Sequence, residues 1–237
     1  MPDLLLVAVA LGVFLLAALA QAVTGFGSAL VAVPLLTLVT EPVTAVVAAT
    51  AVSLALTSGA AWRERAHVDV ASARTLTVAG VVGMPVGLVA LALLDESLLA
   101  AVIAGAMLVM VVLVSIGLRI GPRAAPAAGV VSGALLTSTG MNGPPLVMTL
   151  VGLEPRRYRA TLQAVFAGQD VVAVAAFVVL GHLDREAALL TVAGIAGLPL
   201  GWRLGDAVFH RIPAHRLRHL VVGGLLLTGV SLLVTSV

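Results

Sequence analysis

Of the chain's 237 residues, 61% are hydrophobic and only 10% are charged, and the mean hydropathy is +1.18. A soluble domain carries about 45–50% apolar and about 25% charged residues, so too few polar side chains exist here to cover a water-facing surface, and lipid must be the solvent for most of the chain. The absence of cysteine excludes disulfides, thiolate metal sites and cysteine-relay chemistry.

All thirteen basic residues are arginine, scattered through short joints between apolar runs. The pI near 10.4 therefore reads as the basic loops of a membrane protein rather than a nucleic-acid surface. His67, His182, His210, His215 and His219 all lie near the ends of the apolar runs. None has a partner at metal-ligand spacing inside a run, so neither a metal nor a cofactor is expected.

A helix needs about 20 apolar residues to cross a bilayer. Taken in chain order, the apolar runs are 4–22 with 29–40, 43–61, 72–94, 97–118, 124–138 with 144–152, 160–180, 187–205 and 216–236. They predict an all-α, polytopic membrane protein with about eight hydrophobic segments, six of them ordinary spans. The first run resembles a signal peptide, with Ala18-Leu19-Ala20 as a cleavage site, but it lacks a basic start and carries Asp3, so it is expected to be retained.

The stretch Thr77–Gly87, TVAGVVGMPVG, recurs 114 residues later as Thr191–Gly201, TVAGIAGLPLG. Thr24-Gly25 pairs with Thr139-Gly140, and Glu41-Pro42 with Glu154-Pro155, at nearly the same spacing. Three collinear matches point to an internal duplication, a mark of many secondary transporters, with halves at 1–118 and 119–237. The arginines suggest how the halves are oriented. Loops 63–74, 119–123, 156–159 and 203–218 are basic, whereas joints 41–42 and 95–96 carry only acids. If 124–152 enters the membrane and returns to the same side, all four basic regions are cytoplasmic, as the positive-inside bias prefers. The halves are then inverted repeats and 4–40 is a hairpin entered from outside. The alternative is a discontinuous helix that crosses fully.

Runs 4–40 and 124–152 are interrupted. The first break reads Gln21-Ala-Val-Thr24-Gly25-Phe26-Gly27-Ser28 and the second Thr137-Ser138-Thr139-Gly140-Met141-Asn142-Gly143-Pro144-Pro145. Irregular backbone at membrane depth survives only where protein buries it or water lines it. A short helix is expected to restart near Ser28 and near Gly143, with Pro144 in its first turn. Each restart offers unpaired N–H groups and a positive dipole end, an anion site that needs no lysine. Gln21, Thr24, Gly25, Gly27, Ser28, Ser138, Thr139, Gly140, Asn142 and Gly143 are the candidate substrate-binding residues; Gly-rich helix packing is the competing explanation.

Within 160–180, Gln163 and Asp170 share a helix face with Arg159. The repeat maps Gln163 onto Thr50 and Asp170 onto Thr57, which share a face with Ser53 between them, so Gln163 joins the candidate lining. A carboxylate at mid-span costs about 2.5–3.5 kcal/mol and usually faces a cavity or a partner. Asp170 is either the proton-coupling residue or a buried structural acid. Arg203 and Asp206 are expected to pair locally, and Trp62 and Trp202 to anchor span ends.

Thr24-Gly25-Phe26-Gly27-Ser28 with Pro34-Leu35-Leu36 resembles the first signature of the TauE/SafE family, the sulfite exporter group of permeases. Ser132-Gly133 with Thr139-Gly140-Met141-Asn142-Gly143-Pro144-Pro145 resembles its second. Ser28 stands where many relatives carry Gly. The resemblance spans essentially the whole chain and implies a multi-pass protein of the cytoplasmic membrane that moves sulfite, sulfonates or related small organosulfur anions. The expected partners are that anion and the bilayer, with a homo-oligomer left open. The chain has no lysine and no phosphate-binding loop, so the energy for transport would come from gradients unless another subunit supplies it. A passive anion channel is the alternative. An enzyme is not expected, because Asp170 has no second acid, His or Cys nearby in sequence to complete a catalytic set.

Overall fold

The computed structural model describes residues 3–24, 26–117 and 119–209. Among these, α1 spans Asp3–Thr24, α2 Ser28–Thr37, α3 Pro42–Glu64, α4 Val70–Leu93 and α5 Glu96–Ser115. In the second half, α6 spans Ala125–Thr139, α7 Gly143–Leu150, α8 Pro155–Val179 and α9 Arg185–Phe209. No strand occurs among the described residues. The apolar run 216–236, with His210, His215 and His219, lies outside them. So do the side chains of Trp202 and Asp206, and with them the expected Arg203–Asp206 pair.

Helices α3, α4 and α8, and the stretch Leu4–Gln21 of α1, are each long and apolar enough to cross a bilayer. Three of the six expected ordinary spans, 43–61, 72–94 and 160–180, are among these four. Large apolar side chains point outward, as a lipid-facing surface requires: Val82 of α4 is 67% exposed and Leu93 is 78% exposed.

The charged joints set where helices begin. Asp69 accepts the Ser72 N–H at the start of α4, and Glu154 accepts the N–H groups of Arg156 and Arg157 at the start of α8. Such caps satisfy the orphan donors of a first turn. With Pro155 in that turn, α8 begins five residues before its apolar run, and the expected joint 156–159 is its first turn instead.

Both interrupted segments turn back. Ile120, ahead of α6, donates its N–H to the Met148 carbonyl in α7 at 2.9 Å, so α7 returns toward the end at which α6 starts. In the first half, Leu11 and Leu15 of α1 lie against Gly197 and Gly201 of α9, so these helices run parallel. Thr40, just beyond α2, donates to the Glu186 carboxylate at the start of α9, bringing α2 back toward the beginning of α1. At the basic end, Arg157 pairs with Asp69 at 3.4 Å and Arg159 with Glu64 at 3.3 Å. The loops 64–69 and 154–159 therefore share one end of the bundle, and α3 and α8 run antiparallel.

The helix contacts form matching pairs. α4 lies on α6 as α1 lies on α9, α3 lies on α9 as α8 lies on α4, and α3 meets α8 directly. The repeated glycines make the close contacts. A Cβ on Gly133 of α6 would collide with the Gly80 carbonyl of α4, and one on Gly201 of α9 would press on the backbone of Leu15 in α1. Gly133→Ala should therefore lower thermal stability in detergent by about 1–3 kcal/mol, the cost of overpacking. Gly105→Ala in α5 meets nothing within 4 Å and should leave stability level or raise it by up to about 1 kcal/mol; thermal melts of both variants measure the difference.

Candidate functional site

The two breaks meet. Helix α2 restarts at Ser28 and α7 at Gly143, with Pro144 in the first turn. Each break carries one glycine in the left-handed region, Gly27 at φ 103° and Gly140 at φ 71°, where a Cβ is disfavoured. Those conformations let the chain leave one helix and begin the next within a few residues. Both restarts reach a single small cavity lined by Gln21, Gly27, Ser28, Ser53, Asn142 and Gly143, with Met141 and Phe166 beside them. Its volume of about 20 Å³ holds roughly one water molecule. The second restart is closely packed: a Cβ on Gly143 would stand 3.2 Å from the Phe26 ring, a tight contact, and 3.6 Å from the Phe166 ring, an ordinary one.

Gln21 links the first break to α8. Its Oε1 accepts the Ser28 N–H at 3.3 Å, and its Nε2 donates to Gln163 Oε1 at 3.5 Å. Gln163 is itself buried and stands behind Gln21 rather than on the cavity wall. Ser138 and Thr139 are not on that wall either. Their hydroxyls donate to the Ala134 and Leu135 carbonyls one turn back in α6, each at 2.8 Å. Gly140 packs against Val33 of α2. Thr24 ends α1, but its side chain, like Gly25, lies outside what the structure describes.

Asp170 is 1% exposed and lies between α8 and α3. Its Oδ2 accepts from Ser53 Oγ at 2.8 Å and from Thr57 Oγ1 at 3.2 Å. Among the described residues its Oδ1 has no hydrogen-bond partner. The two polar stripes thus face each other, and Thr57 touches the very residue the repeat maps it onto. Thr50, the counterpart of Gln163, spends its hydroxyl on the Val46 carbonyl.

Gln169, next to Asp170, was not among the expected site residues. Its Oε1 accepts from Asn142 Nδ2 and from Ser132 Oγ, both at 3.0 Å, and its Nε2 donates to the Leu76 carbonyl at 3.1 Å. Ser132 also donates to the Asn142 carbonyl at 3.1 Å. This one amide ties α8 to α4, α6 and the second restart, in the space left by Gly80. It lies off the Gln163–Asp170 face; the available signal was the cost of a mid-span amide, which must find partners.

These features define an integral membrane protein with two helix breaks around a polar cavity and no cluster of three or more metal-ligating side chains among the described residues. The family model for the sulfite exporter TauE/SafE matches residues 10–232, and the chain belongs to that family of membrane transporters. Searches among curated proteins and among solved structures found no match.

Replacing Gln169 by leucine strips partners from Ser132, Asn142 and the Leu76 carbonyl. The Gln169→Leu protein should lose about 1–3 kcal/mol, the cost of leaving a buried polar group unsatisfied, visible as a lowered melting temperature in detergent.

Proposed function

We propose that the protein is a secondary transporter of the cytoplasmic membrane that carries sulfite, a sulfonate or a related small organosulfur anion by alternating access, coupled to protons through Asp170. The observation that carries this reading is the meeting of two helix N-termini, at Ser28 and Gly143, on one cavity. Two positive dipole ends attract an anion without a lysine or arginine beside it; the Ser28 N–H is held by Gln21, and with Pro144 and Pro145 lacking an N–H the Gly143 N–H is the donor that the first turn of α7 offers. A permanent cation would hold the anion tightly, whereas backbone donors that separate when the halves move can release it. Family membership supplies the substrate class.

A cavity with room for about one water is too small for a sulfur oxyanion, so the halves must part for one to enter. The halves 1–118 and 119–237 are inverted repeats that move against each other. The exchange pattern of helix contacts and the antiparallel α3–α8 pair support this. The arginines of loops 63–74, 119–123 and 156–159 lie on the cytoplasmic side. The chain has no native cysteine, so single cysteines report topology directly. Arg63→Cys, Arg123→Cys and Arg156→Cys should all label from the cytoplasmic face; labelling of Arg156→Cys from the outside would rule out the hairpin at 124–152.

Reconstituted protein should take up one of sulfite, sulfoacetate, taurine or sulfate with saturation, and faster under a proton gradient. Asp170→Asn should abolish the gradient's effect. Asn142→Ala, which removes a polar side chain at the second restart, should raise the apparent KM about tenfold, as loss of a hydrogen bond to a charged group does. Non-saturating conductance would instead make the protein a passive anion channel.

A further inference from the structure

We infer that Ser53 is the proton relay between the substrate cavity and Asp170. This rests on the reading of Asp170 as the coupling acid and specifies how a proton reaches it. Ser53 is the residue that belongs to both places. It lines the cavity with Gln21, Ser28 and Asn142, and its Oγ donates to Asp170 Oδ2 at 2.8 Å. Asp170 does not line the cavity and is buried. Thr57, one turn further along α3, donates to the same oxygen at 3.2 Å but does not line the cavity.

A hydroxyl can accept one hydrogen bond while donating another, which is what a relay requires. A protonated water in the cavity gives a proton to Ser53 Oγ while the original Ser53 O–H proton passes to Asp170 Oδ2. One O–H bond breaks at the water and one forms at serine; one breaks at serine and one forms at the carboxylate. No electrons change hands, serine ends as it began, and Asp170 becomes neutral. The reverse sequence empties it.

Among the described residues, the other charged groups on elements packed against α8 lie too far along the helices to shortcut this route. α3 carries Arg63 and Glu64, the turn after it Arg65, His67 and Asp69, and α4 Arg74, all near the basic end; α6 and α7 carry none. On α8 itself, Arg156, Arg157, Tyr158 and Arg159 occupy the first two turns, and Asp170 lies three turns beyond them. The hydrogen bonds to Asp170 come from Ser53 and Thr57.

The pair Ser53 and Thr57 makes the test. Each gives Asp170 Oδ2 one hydrogen bond, so a purely structural role predicts equal effects. The measured quantity is a coupling ratio, the uptake of labelled sulfite into liposomes under a proton gradient divided by uptake at equal pH, using the full chain. Ser53→Ala should cut this ratio at least about tenfold, in the range seen when a proton-transfer group is lost, and Ser53→Thr, which keeps a hydroxyl, should restore it. Thr57→Val should keep the ratio within about twofold of the parent protein, since its hydroxyl is off the path. Equal losses in Ser53→Ala and Thr57→Val, or a ratio unchanged in Ser53→Ala, would overturn the relay. Asp170→Asn separates the two ideas: if it keeps a full ratio the coupling reading itself fails, and if it loses the ratio while Ser53→Ala keeps it, only the relay fails.

Discussion

Backbone hydrogen bonding is the constraint on which this structure depends. Inside a bilayer an unpaired N–H or C=O costs several kcal/mol, so a chain that stops and restarts a helix there must bury the gap in protein. Here the burial is reciprocal. Each break is covered by the other, by α3 and by α8, and the restarts at Ser28 and Gly143 both border one cavity. Gln21 accepts the Ser28 N–H, and the pocket is polar but uncharged.

Helix α8 is the polar axis of this arrangement. Gln163 receives the first break through Gln21, Gln169 receives the second through Asn142, and Asp170 receives α3 through Ser53 and Thr57. Three polar side chains in one apolar helix are expensive to insert, and each is bonded to a different element. A shift of α8 against all of its neighbours would disturb all three at once.

Much of this was legible in the sequence because lipid imposes strong rules. The length of apolar runs located α1, α3, α4 and α8, and the glycine and proline clusters located the restarts near Ser28 and Gly143, where α2 and α7 begin. The resemblance to the TauE/SafE signatures agrees with the family match. Helix starts in charged joints were less legible, because Glu154 caps α8 well outside its apolar run. Side-chain destinations were least legible. Ser138 and Thr139 look like ligand donors in a motif, yet a hydroxyl in a helix can reach the carbonyl one turn back, and both do so. Gln169 was hidden because a face argument groups residues by angle along one helix, whereas its partners come from three others. The repeated glycines of TVAGVVGMPVG and TVAGIAGLPLG marked the duplication, but their physical role, backbone contact between α4 and α6 and between α1 and α9, required the packing.

The most direct test of the central claim is where the anion sits. Selenite is a heavier analogue of sulfite whose selenium scatters anomalously, so crystals of the protein grown with it would locate the bound ion. The account predicts a peak between the starts of α2 and α7, near the Gly143 N–H and beside Gln21 and Asn142. A peak held instead by the arginines of the 63–74 and 156–159 joints, with the space between the two restarts empty, would contradict it.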